Sequence, residues 1–81
     1  MEGTVMSMLK PDGQTVAGGP REVKLYSLVL DSEGRVWERN GAPYKPMYEW
    51  WLAGGNTSGL RHGHYKVDQV AFPVTILAQY D

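Results

Sequence analysis

Ten glycines and five prolines punctuate the chain at close intervals from Gly3 to Pro73, and this spacing limits the fold more than any other feature. Inside a helix a glycine costs about 1 kcal/mol relative to alanine and a proline about 3 kcal/mol. Short strands joined by tight turns tolerate the same residues at their boundaries. The chain is therefore expected to be mainly β, and its hydrophobic pattern agrees.

Val70, Phe72, Val74, Ile76, Ala78 and Tyr80 alternate with other residues, the period of a strand with one face on a core. Pro73 cannot donate to a ladder, which predicts an edge strand or a bulge. Glu22–Leu30, EVKLYSLVL, is rich in β-branched and aromatic residues on both faces and predicts a central strand. DSEG then turns the chain and Arg35–Arg39 returns, a good hairpin signal. Nearer the start, Gly3–Leu9 alternates as a first strand. KPDGQ has the chemistry of a turn, and Gln14–Ala17 is its expected return strand.

Residues 40–45 contain Asn40-Gly41 and Pro43, so they predict an irregular crossing. Pro46 then suits the first position of a short helix near 46–53. Met47, Trp50 and Trp51 would share one face of it, and Gly54-Gly55 would close it. A strand over the same residues is the competing expectation, because aromatic side chains favour sheets. Together these elements predict one domain over 1–81. It is mainly β with an α+β flavour: a small barrel or strongly bent antiparallel sheet of four to five short strands with one short helix.

A chain of 81 residues buries only about 60 to 65% of the surface its unfolded form exposes, so the three Trp, five Tyr and one Phe dominate any core. No cysteine is present, which excludes disulfides, thiolate metal sites and a cysteine nucleophile. The opening MEGTVMSMLK starts with an acid and lacks the apolar run of a signal peptide. These two features point to a cytoplasmic setting, and no run of apolar residues is long enough for a membrane helix. A net charge of −1 argues against a dedicated duplex-DNA binder.

Candidate chemistry concentrates between Pro43 and Val67. His62 and His64 stand at i and i+2 and would point to one side of an extended chain. A metal needs further ligands, and Glu49, Asp68 and Asp81 have no telling spacing, so no metal or other cofactor is expected. Gly54–Arg61, GGNTSGLR, is glycine-rich but lacks the Lys-Ser/Thr ending of a phosphate loop. Asn56-Thr57-Ser58 matches a glycosylation acceptor, which carries no weight without a secretory signal. Ser58 lies near two histidines without a nucleophile-elbow pattern around it.

What remains is a set of aromatic side chains, Tyr44, Tyr48, Trp50 and Trp51, beside a basic loop holding Arg61, His62, His64, Tyr65 and Lys66. Adjacent Trp50 and Trp51 cannot both face inward on a strand. The expected function is a non-enzymatic interaction module that binds another protein, or itself through the edge strand containing Pro73. Binding of single-stranded nucleic acid or a phosphate ligand by the 57–67 loop is the alternative, since it combines cations with an aromatic ring. A small enzyme using His62 or His64 as a base ranks third.

Overall fold

The computed structural model describes residues 9–42 and 45–80. The first expected strand therefore lies, except for Leu9, outside the described residues, as does Tyr44.

Among these residues seven strands form one antiparallel sheet: β1 Leu9–Pro11, β2 Val16–Ala17, β3 Leu28–Leu30, β4 Arg35–Arg39, β5 Trp50–Gly55, β6 His64–Tyr65 and β7 Val74–Tyr80. The order is β1-β7-β3-β4-β5-β6, with β2 also on β7. The end strands are not paired with each other, so the sheet is open and not a barrel. Helical structure among the described residues is limited to two three-residue 3₁₀ turns, Pro20–Glu22 and Val67–Gln69.

The DSEG hairpin forms as expected. β3 and β4 pair Leu28 with Glu38 and Leu30 with Val36. The turn closes through Gly34 N–H donating to the Asp31 carbonyl at 3.1 Å, with Gly34 at φ +83°. β3 is also central, between β7 and β4, but much shorter than Glu22–Leu30. Its first part is taken by the 3₁₀ turn and by a reversal at Lys24–Ser27, where Tyr26 adopts φ +67°.

Four expectations are corrected. The helix near 46–53 is replaced by β5. Trp50 and Leu52 point into the core, and the exposed edge of β4 pairs Trp37 with Leu52 and Glu38 with Trp51. Burying one large aromatic and one leucine is worth roughly 5 kcal/mol or more. The capping signals at Pro46 and Gly54 are worth about 1 kcal/mol each and lose that contest. Gly55 serves as a point of close approach at φ +74°, where a Cβ would overlap the Gly34 carbonyl oxygen.

KPDGQ is not a hairpin turn. β1 and β2 run in the same direction along one edge of β7, and Asp12–Gly13 forms a bulge between them, both amides donating to β7 carbonyls at 2.6 to 2.7 Å. β7 is an interior strand, not an edge, with Pro73 just before its first residue; of the two alternatives the bulge is the one found, at Leu77, where the pairing with β3 steps from Leu28–Ala78 to Val29–Ile76. The strand count among the described residues is seven because β5 takes the place of the helix and β6, only two residues long, is too brief to leave a periodic signal; β2 lies within the expected Gln14–Ala17 strand.

The inner face of the sheet carries the core. Trp37, Trp50, Leu52, Val29, Val74 and Ile76 supply it from β3, β4, β5 and β7, and each is at most 2% exposed. Val23 and Val70 close over it from the connections, with Leu60, Tyr65 and Phe72 packed around the margin. Trp37 meets Tyr65, and Trp50 meets Phe72, both edge to face at 5.8 to 5.9 Å. Asp31 locks this core to the β3–β4 turn. Its Oδ2 accepts the Trp37 indole N–H at 2.8 Å and the Ala71 amide at 3.2 Å, and its Oδ1 accepts the amides of Glu33 and Arg35 at 2.9 Å. Burial by itself would raise the Asp31 carboxyl. These hydrogen bonds outweigh it and hold the group below the usual carboxylate range.

Candidate binding trough

The expected site residues fall into different environments. Trp50 is core, 2% exposed, and reaches the surface only as part of the wall of one depression described below. Trp51 points the other way, as neighbours on a strand must, and lies half-buried on the outer face. There it stands in a cross-strand row with Glu38 and His64, its ring 5.0 Å from the imidazole.

The two histidines do not converge. A carbonyl only accepts, so His62 Nδ1–H donates to Leu52 O at 3.0 Å. His64 Nε2–H donates to Asn40 Oδ1 at 2.6 Å, and Asn40 Nδ2 in turn donates to Glu38 Oε1 at 2.9 Å. No group of three His, Asp or Glu side chains capable of holding a metal exists among the described residues.

The basic loop is fastened on itself and to the sheet. Tyr65 O–H donates to the Arg61 carbonyl at 2.7 Å, and the Arg61 amide donates back to the same hydroxyl at 3.0 Å. Arg35 pins the preceding turn, donating to Asn56 O at 3.1 Å and Ser58 O at 2.7 Å. The ring of Tyr65 is half-buried and packs edge to face with Trp37 at the margin of the core. Lys66 leaves the loop for Tyr48, its ammonium 5.5 Å from the ring centroid, and Lys45 approaches the same ring at 5.2 Å.

A different surface gathers the exposed apolar side chains. At the far end of β4, Arg39 and Glu49 form an ion pair at 3.1 Å. Arg39 also donates to the carbonyls of Pro20 and Val23 and lies 5.8 Å over the Trp50 ring, so its position is fully determined. A depression opens on each side of this pair. One, of about 230 Å³, is lined by Pro20, Arg21, Met47, Trp50 and Val67. The other, of about 500 Å³, is lined by Leu25, Tyr26, Gly41, Ala42 and Pro46. Together they make a two-lobed trough with Arg39–Glu49 as its septum.

Four of its lining residues are large, apolar and open to solvent: Met47 at 66%, Leu25 and Tyr26 at 52% each, and Val67 at 40%. Tyr26 is the only described non-glycine residue with positive φ. That reversal turns Leu25 and Tyr26 outward, where a continued strand would have placed one of them inside. A strained backbone that presents apolar side chains to water is a feature found where a surface has work to do.

None of these four residues was among those expected from the sequence. Leu25 and Tyr26 read as part of a buried strand and Met47 as part of a helix. The only local hint is Pro46-Met47, an apolar residue beside a proline in a turn. No family model, curated protein or solved structure matches this chain, so the reading of the trough rests on its own chemistry.

Proposed function

We propose that this protein is a non-enzymatic interaction module whose docking surface is the two-lobed trough across Arg39–Glu49. The observation that carries the reading is the convergence of Leu25, Tyr26, Met47 and Val67, from three separate stretches of chain, around one rigidly held ion pair. Apolar anchors flanking a fixed polar centre are what protein interfaces use, with the buried pockets supplying affinity and the polar groups fixing orientation. The two lobes share Arg39 and Glu49, so one segment laid across that pair meets both.

The partner is a different protein in preference to a second copy. Edge-to-edge pairing is blunted on one side by Pro11 and the Asp12–Gly13 bulge, and on the other by the two-residue length of β6. The trough replaces Trp50 and the 61–65 loop as the centre of the interface, and keeps Tyr48 and Lys66 as its neighbours. Selection of a random peptide library on the protein, counter-selected on the double variant Tyr26→Asp with Met47→Asp, tests the reading. Enriched peptides that bind the parent and not the variant support it. Peptides indifferent to the variant, or none at all, would remove it.

Single-stranded nucleic acid or a phosphate ligand remains the second reading, favoured by Lys45 and Lys66 around Tyr48. A salt titration separates the two, because phosphate neutralisation makes affinity fall steeply with salt and apolar docking does not.

A further inference from the structure

Resting on that docking reading, we infer that the segment taken by the trough is acidic and carries an apolar anchor side chain. The depression lined by Met47, Trp50 and Val67 supplies the anchor site. The charge at its lip supplies the sign. Two ion pairs are found among the described residues, Arg35–Glu33 and Arg39–Glu49, and Arg21, which lines the depression, belongs to neither. Glu49 is the one acid in that lining, and its Oε1 already accepts from Arg39 Nε and NH2.

Val67 and Met47 are next in the chain to Lys66 and Tyr48. Lys66 and Lys45 both place their ammoniums near the Tyr48 ring with no carboxylate in ion-pair range among the described residues. A ring face offers an exposed ammonium only about 0.5 to 1 kcal/mol. An incoming carboxylate forms charge-assisted hydrogen bonds with either ammonium. One residue along the chain is about 3.8 Å, so this second cationic point lies within a few residues' reach of a peptide anchored in the depression.

Polyanionic nucleic acid fits the same surface less well. The chain is net negative, and Tyr65, the ring within the basic loop, is committed to Trp37 and Arg61.

A blocked peptide in which glutamates flank a single phenylalanine is the probe, titrated into the isotopically labelled protein. The expected result is saturable binding that shifts the Met47 methyl and the Val67 amide. Replacing the phenylalanine with alanine weakens binding by more than about tenfold. Arg21→Gln and Lys66→Gln each weaken it roughly three- to fivefold. Both residues are exposed, and an unchanged amide spectrum shows that the variants fold.

If a glutamine version of the peptide binds Met47 as tightly, or the library peptides that need the trough are neutral or basic, the acidic partner is refuted while the docking reading stands. If neither the probe nor any selected peptide shifts Met47 or Tyr26, both fall. Binding of oligothymidylate at Lys45 and Lys66 without binding of the peptide would overturn the proposal in favour of nucleic acid.

Discussion

β4 is five residues long and has an arginine at each end, yet the two ends are built for opposite purposes. At the Arg35 end every nearby polar group is turned to holding the chain together. Arg35 bonds Glu33, Asn56 and Ser58, Asp31 ties the turn to Trp37 and Ala71, and Gly34 and Gly55 pass too close for any side chain to intervene. At the Arg39 end the arginine is equally well anchored, but around it lie four apolar side chains open to solvent, one of them a tyrosine at positive φ. The same residue type thus closes a structure at one end and props open a surface at the other. The difference lies in what each arginine's neighbours leave exposed.

Removing Asp31 should break the Arg35 end most severely. Asp31→Ala strands the Trp37 indole N–H and three amides, at a cost of about 3 to 5 kcal/mol. A domain this small has roughly 4 to 12 kcal/mol to lose, so urea denaturation should show a protein near or past its unfolding midpoint.

The same carboxylate sets an acid limb. Its folded pKa is depressed, so the unfolded state takes up its proton first as pH falls. The stability it contributes is fully present above the unfolded value of about 3.9 and is lost as pH drops below it towards the folded pKa. Between pH 5 and pH 2 the parent should therefore lose stability more steeply than Asp31→Asn, as followed by denaturant midpoints.

Gly55→Ala should be next in size. The positive φ and the overlap with the Gly34 carbonyl together cost about 2 to 4 kcal/mol, measurable by thermal unfolding.

The Arg39 end should respond in the reverse sense. Met47→Asp should leave stability within about 0.5 kcal/mol, because the side chain is already in water. Tyr26→Asn gives up the edge-to-face contact with Tyr80 for a side chain that tolerates the left-handed conformation better, and should leave stability within about 1 kcal/mol. A clear loss in either variant would mean that this end is framework too.

A comparably small effect is expected at Ser27, whose hydroxyl is buried without a hydrogen-bond partner among the described residues. Ser27→Ala should be neutral or stabilising by less than about 1 kcal/mol in the same urea assay.

Legibility in the sequence follows the same division. The β3–β4 hairpin could be read from residues 22–39 because the DSEG turn and its flanking strands are local in sequence. The alternation from Val74 onward marks β7 because it faces a core on one side. β5 could not be separated from a helix locally. Trp50 and Leu52 are ordered by pairing with β4 and β6 and by core contacts such as Trp50 with Phe72, all outside the segment itself. The bulge at Asp12–Gly13 has the same residues as a hairpin turn, and only the presence of β7 beside it decides between them.

The trough was less legible still. It joins Leu25 and Tyr26, Pro46 and Met47, and Val67, none of which departs from an ordinary structural pattern within its own segment. Of the aromatic residues that drew attention in the sequence, Trp50 and Trp51 divided between the two faces of β5, as the strand period requires. A rare φ at Tyr26 has no composition signal, since nothing about tyrosine announces it.

The most direct test of the contrast between the two ends is an amide and methyl shift map of the labelled protein during titration with the glutamate-phenylalanine peptide. The account predicts shifts concentrated at Leu25, Tyr26, Met47 and Val67, with Asp31, Gly34 and Gly55 unmoved. Shifts centred on the Asp31–Gly34 turn or on the His62–His64 loop, with the trough silent, would contradict it.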